Sequence, residues 1–202
     1  ELLFDDAISY AENGFPVSEL IAYYLNRSSE VFKDYPNFRT IWMPNGKTPS
    51  KGEVFKNELL ANDYKLIAKS YGKDFYQGTI AKNIVESVNS QGGYFTLSDL
   101  SEYKPEWINP VSSNYRGYDV WELPPNGQGI AALQILNILE NYDIKKLGFN
   151  SAEYIHLFTE AKKLAFEDRA KYYADMSFAK VPVDYLISKG YAKKRNNLIS
   201  FD

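Results

Sequence analysis

Three short stretches hold residue types whose spacing could do chemistry. In "ELPPNGQGIAALQILNILENYD", Gly127, Gly129 and Ala132 match G-x-G-x-x-A between a strand-like run and an apolar helical run. Glycines at that spacing let a backbone turn tightly beside a pyrophosphate, whose charge then rests on a helix N-terminus. "NGKT", from Asn45 to Thr48, has the lysine and hydroxyl that end a phosphate loop. His156, the only histidine, has the residue type of the base in a Ser-His-Asp set. Glu122 adds a carboxylate of the kind used in acid and base work, and Asp168-Arg169 an adjacent pair of opposite charges.

Each signal fails on its surroundings. A dinucleotide site needs a second parallel strand ending in an acidic residue about 20 residues further on. Here the helix runs into the short polar "ENYDIKKLGFN" and then directly into another helix. The glycines therefore read as a turn, with Gly129 starting a helix. Ile41 stands where a phosphate loop needs its first glycine, and Pro49 stands where it needs a helix. His156 has no G-x-S-x-G elbow to supply a serine, and one histidine alone does not hold zinc. It reads as a satisfied histidine on a helix with a buried stripe, one turn before Glu160. Glu160 with Lys162 or Lys163, and Glu167 with Lys171, have the spacing of solvated helix pairs. Asp168-Arg169 interrupts an apolar surface and reads as a buried arrangement locking one helix to its neighbour. Glu122 has no second carboxylate placed with it. No catalytic or substrate-binding constellation is complete, and neither a cofactor nor a metal is expected.

The elements that must position these residues are mostly helical. Phe4, Ala7, Ile8 and Ala11 recur at helical spacing, with Gly14 as the stop. Pro16 is expected to open a second helix that runs through Ser18 to about Tyr23 or Leu25. "WMPNGKTPSKGE" reads as a loop. Two helices follow, ending near Gly72 and at Gly92-Gly93, and Thr96 with Asp99 forms a capping-box start. Around Tyr115-Arg116-Gly117 the pattern changes to two strands in a hairpin or bent ribbon, alternating through Tyr118, Val120 and Leu123. A helix is then expected from about Gly129 to Asn141. Asn150 is expected to cap a long helix with the stripe Tyr154, Leu157, Phe158, Ala161, Leu164 and Ala165. Pro182 starts a short helix, and Gly190 separates it from the last one. The expected class is α+β, mostly helical, with one or two strand pairs. Residues 1–105 read as helical, 108–124 as a strand ribbon and 129–202 as helical.

Composition excludes several classes. The chain has 202 residues, 45% of them hydrophobic, with 17 Tyr and 12 Phe, so a substantial core can form. Net charge is −3, and the longest basic cluster is Lys193-Lys194-Arg195. That footprint is too small for nucleic acid. The absence of cysteine excludes disulfides, thiolate metal sites and a Cys nucleophile. No run approaches the ~20 apolar residues of a membrane span. A start at Glu1, without Met or a basic leader, fits a processed or excised piece, and the residues do not fix a compartment.

Taken in order, five blocks carry a resemblance: "AISYAENGFPVS", "GEVFKNELLANDYKLIAKSYGKDFYQGTIAKNIVE", "GGYFTLSDLSEY", "YRGYDVWELPPNGQGIAALQILNILENYD" and "EAKKLAFEDRAKYYAD". With "VPVDYLISKGYAKKRNNLI" they cover nearly the whole chain, and together they resemble the γ-glutamyltranspeptidases. The resemblance implies a fragment of an αββα N-terminal-nucleophile hydrolase, made as a precursor that cleaves itself into a large and a small subunit. The nucleophile would be the N-terminal Thr of the small subunit, whose own α-amino group serves as base. The substrate would be a γ-glutamyl amide such as glutathione, passing through an acyl-enzyme. The resemblance places the cleavage site and oxyanion glycines downstream of this chain, and the arginine that grips the substrate carboxylate upstream. Thr48, Thr79, Thr96 and Thr159 match no nucleophile motif, so no catalytic residue is carried over. The chain looks like the central and late part of the large-subunit region, inert alone, with the small subunit as its partner and self-association of the isolated piece expected. A poly-γ-glutamate enzyme, an acylase of β-lactam side chains, and a non-catalytic assembly module remain open alternatives.

Overall fold

The computed structural model describes residues 2–201. They form two compact units, one up to Pro105 and one from Glu106 onward.

In the first unit, a 3₁₀ turn at Leu2–Phe4 leads into α1 (Asp5–Asn13). Gly14, at φ 85°, turns the chain into β1 (Phe15–Pro16). A side chain there would meet Val54 Cγ1 at 2.5 Å, so glycine is required for space as well as for conformation. The chain continues through α2 (Glu19–Phe32), α3 (Phe38–Trp42), β2 (Val54–Phe55), α4 (Glu58–Ser70), α5 (Lys73–Gln77), α6 (Thr79–Ser90) and α7 (Leu97–Ser101). β1 and β2 pair antiparallel, Phe15 opposite Phe55. Trp42 stacks on Phe55 with ring centroids 5.2 Å apart. Ala11 of α1 and Ala61 and Ala68 of α4 are buried, and these small side chains let the two helices approach closely. The Asp74 carboxylate accepts from Thr79 N at 3.3 Å and Ile80 N at 3.0 Å, capping α6 from the preceding helix.

Two expectations need correction here. Pro16 lies in a strand, and Ser18 caps α2 by accepting from Ile21 N at 3.4 Å. That helix then runs to Phe32, because no glycine or proline interrupts it before Pro36. The β1–β2 pair also lies within the stretch read as helical; two residues per strand leave no alternation to detect. The capping box at Thr96 and Asp99 forms as expected.

The second unit begins with a hairpin, β3 (Val111–Tyr115) and β4 (Tyr118–Glu122). Its two-residue turn has positive φ at Arg116 (52°) and Gly117 (92°), the backbone that matches right-handed strand twist. Val120 turns toward the core, while Tyr118 and Leu123 are exposed. Then come α8 (Gly129–Leu139), α9 (Ile144–Leu147), α10 (Ala152–Tyr172), α11 (Val183–Leu186) and α12 (Lys189–Asn196). α8 is the central helix. Ile130 and Leu133 pack with Leu186 under the hairpin, and Ile138 and Leu139 pack with Leu157, Ala161 and Ala192.

Asn150 does not cap α10. It takes a left-handed φ of 56°, and Ser151 caps instead, accepting from Tyr154 N at 3.0 Å. Gly190 does not separate two helices; it is the second residue of α12, where Ser188 caps Tyr191 N at 3.1 Å. The buried stripe of α10 is Leu157, Ala161, Ala165 and Asp168, with Phe158 exposed.

Candidate functional site

The most organised polar constellation lies among α8, α10 and α12. In the apolar run "GIAALQILNIL" only Gln134 and Asn137 are polar, and both are buried, at 3% and 1% exposure. A buried amide must find partners for both its ends. Gln134 Nε2 donates to Asp168 Oδ2 at 2.7 Å, and Gln134 Oε1 accepts from the Tyr173 hydroxyl. Asp168, 3% exposed, accepts at Oδ1 from the Tyr191 hydroxyl at 2.8 Å and lies 3.6 Å from Arg195 Nη2. That guanidinium also donates to Leu164 O at 2.9 Å and Glu167 Oε2 at 2.6 Å.

Burial pushes the Tyr173 and Tyr191 hydroxyls well above the ordinary phenol range; a nearby Asp168 charge acts in the same direction. Both stay neutral donors at any physiological pH. Burial opposes the charge on Arg195, but the hydrogen bond to Glu167 and the Asp168 carboxylate outweigh it and raise its pKa. The same hydrogen bond from Arg195 holds Glu167 below the usual carboxylate range.

Asn137 anchors a second network. Its Oδ1 accepts from Ser113 Oγ at 2.6 Å and Lys189 Nζ at 2.6 Å, and its Nδ2 donates to Ile187 O at 2.6 Å. Lys189 also reaches Asn114 O and the Glu140 carboxylate. Glu140 accepts in turn from Arg116 N at 2.8 Å. The Lys189 hydrogen bond, then the Arg116 amide, hold Glu140 below its usual range. The two networks tie hairpin, α8, α10 and α12 together, with Arg195 Nε left as a buried donor without a hydrogen-bond partner.

The residues singled out by spacing stand apart from this center, except Glu167 and Asp168. His156 is exposed; its Nε2 lies 2.7 Å from Ser200 O and its ring packs near Phe201. Glu160 pairs with Lys163 at 2.7 Å. Glu167 takes Arg195 rather than Lys171, whose Nζ lies 5.1 Å over the Tyr172 ring. Asp168 is buried and locks helices, but with Arg195, while Arg169 lies over the Phe166 ring. Thr48 is buried in the 43–53 loop beside Lys47, whose Nζ is 3.6 Å from Glu53. Thr96 is spent as a cap, Thr79 opens α6 and Thr159 is exposed on α10. Gly129 sits where a side chain would meet Glu122 Oε2 at 2.5 Å and Leu123 O at 3.1 Å, so packing accounts for it. Around Gly127 there is open space.

Sequence reasoning missed Gln134, Asn137, Lys189, Tyr191 and Arg195. The available signal was the pair of amides three residues apart in an apolar helix, which places both on the buried side. Among the described residues no group of three or more His, Cys, Asp or Glu stands together to hold a metal, and no helix is long and apolar enough to cross a membrane. Two of the openings in the surface are a cleft of about 440 Å³ beside Pro125, Asn126 and Asp175, and a smaller apolar one of about 270 Å³ lined by Tyr10, Trp42, Phe55 and Tyr64.

A family model described as gamma-glutamyltranspeptidase matches residues 1–202. The chain belongs to the γ-glutamyltranspeptidase family. It is 40% identical over 192 residues to the glutathione hydrolase-like YwrD proenzyme of Bacillus subtilis (strain 168), covering 95% of this chain and 37% of that protein. It is also 40% identical over 189 residues to the glutathione hydrolase proenzyme of Escherichia coli (strain K12), covering 93% and 33%. Among solved structures, the γ-glutamyltranspeptidase of Helicobacter pylori superposes with a TM-score of 0.90 at 37% identity, covering 98% of this chain and 58% of that one. The cephalosporin acylase of Bacillus halodurans gives 0.89 at 39% identity, covering 97% and 37%. The chain thus spans about a third of the length of the curated relatives it matches. The mostly helical α+β class with two small strand pairs is that of these γ-glutamyltranspeptidase and acylase neighbours.

Proposed function

We propose that this chain is the central and late part of the large-subunit region of an enzyme that cleaves γ-glutamyl amides such as glutathione. The observation that carries the reading is the 40% identity, over nearly the whole chain, to two proteins named as glutathione hydrolase or glutathione hydrolase-like proenzymes. The nucleophile in this reading is the N-terminal Thr of the small subunit of the same precursor. Its hydroxyl attacks the γ-glutamyl carbonyl carbon while its α-amino group takes the proton. Backbone donors hold the oxyanion, the amine leaves, and water or an amino acid takes the acyl group. The residues here contribute no catalytic or substrate-binding group. Their part is to hold α8, α10, α12 and the hairpin in one rigid body.

Supporting this division of labour, Thr96 and Asp168 are already engaged in caps and locks. The test is hydrolysis of a γ-glutamyl anilide by the full-length gene product and by this chain alone. Turnover by the former and none by the latter is expected. Turnover by this chain, abolished by one substitution within it, overturns the assignment. A second reading, an acylase of β-lactam side chains, is favoured by the 39% identity to a cephalosporin acylase. Cleavage of a cephalosporin side-chain amide without cleavage of the γ-glutamyl anilide selects it.

A further inference from the structure

The sequence contains three Asn-Gly pairs, Asn13-Gly14, Asn45-Gly46 and Asn126-Gly127. An asparagine followed by glycine is open to internal attack, because no side chain on the next residue shields its backbone nitrogen. The glycine nitrogen attacks Asn Cγ and the Cγ–Nδ2 bond breaks. The side-chain nitrogen leaves as ammonia with the glycine N–H proton, and a five-membered imide forms. Water then opens the ring at either carbonyl, giving Asp or a chain-lengthening isoaspartate. The reaction requires a glycine nitrogen that is free to turn toward Cγ.

In the fold the three pairs are not equivalent. Gly14 N donates to Tyr10 O at 3.0 Å, Asn13 Nδ2 donates to Ser9 Oγ at 3.2 Å, and Gly14 is wedged against Val54 and Phe55. Gly46 N donates to Met43 O at 2.9 Å, which fixes its plane. Gly127 N closes a turn toward Pro124 O without reaching hydrogen-bond geometry, and the Asn126 side chain makes no hydrogen bond with any described residue. Both residues are exposed, and nothing lies within 4 Å of where a Gly127 side chain would be.

We propose that Asn126 is a site of spontaneous deamidation in the folded protein, selected over Asn13 and Asn45 by the freedom of the Gly127 amide. The product places a new carboxylate beside Asp175 on the 440 Å³ cleft, or lengthens the backbone in the turn that joins β4 to α8. Neither consequence depends on the γ-glutamyl reading.

The experiment is peptide mapping of the full-length gene product after incubation at mildly alkaline pH, once folded and once in concentrated urea. Comparable conversion of the three asparagines is expected in urea. In the folded protein Asn126 should keep its unfolded rate, while Asn13 and Asn45 slow by about fivefold or more, the factor set by breaking one backbone hydrogen bond. Gly127→Ala should slow Asn126 alone, in both states. Folded-state protection of Asn126 equal to that of Asn13 and Asn45 overturns the proposal, as does an unchanged Asn126 rate in Gly127→Ala.

Discussion

Gln134 on α8 and Asp168 on α10 meet across 2.7 Å, amide nitrogen to carboxylate oxygen, in a helix contact that is otherwise apolar. Each is 3% exposed, so neither has water as an alternative partner. The pair therefore fixes rotation and register between the two helices, which apolar packing alone would leave less specified.

Asp168→Ala should destabilise the chain by about 3–5 kcal/mol, because it strands Gln134, the Tyr191 hydroxyl and part of Arg195 in the core. Urea unfolding followed by circular dichroism measures it. An unchanged midpoint would show that water replaces the carboxylate and that the lock adds nothing.

Glu140 gives a pH dependence with a definite sign. Its folded pKa lies below its ordinary 4.5, chiefly through the Lys189 hydrogen bond. Its contribution is thus complete above pH 4.5 and is lost as pH falls through the depressed folded value. Glu140→Gln should lower stability at neutral pH and flatten the acid limb below pH 4.5. Thermal melts of both proteins across that range decide it; parallel curves would remove Glu140 from the acid response.

The two glycines at the entry to α8, Gly127 and Gly129, should separate by substitution. Gly129→Ala forces a methyl against Glu122 and Leu123 O and should cost about 1–3 kcal/mol. Gly127→Ala enters open space and should be close to neutral. Equal effects on the unfolding midpoint would mean that the turn, and not packing against Glu122, sets the requirement for glycine.

Self-association of the isolated chain is expected from the exposed face of α2, which carries Leu20, Ile21, Tyr23, Tyr24 and Val31. Sizing chromatography at several concentrations checks it. A monomer at all of them, with a cooperative melt, would mark the chain as self-sufficient.

Local chemistry was legible because it depends on neighbours in sequence. The Thr96–Asp99 cap, the Arg116-Gly117 turn and the stop at Gly14 are each decided within four residues. The ordered blocks likewise carried the family, since "YRGYDVWELPPNGQGIAALQILNILENYD" and its companions are matched along the chain and need no folding to be compared. Cap placement failed where two candidates adjoin: Asn150 and Ser151 are both capping residues, and backbone conformation chose between them.

The polar lock could not be read in this way. Asp168 was legible as a buried carboxylate that holds helices, but Arg169 beside it in sequence points to the other face, and its partners stand 34 and 23 residues away at Gln134 and Tyr191. Lys189 reaches Asn114 from 75 residues away. Such pairings form only when packing excludes water and leaves each buried donor one remaining acceptor. The sequence alone determined the longer helices, the hairpin turn and the family the chain belongs to. The tertiary structure decided which polar groups are buried together, because burial is a property of the packed whole and not of any segment.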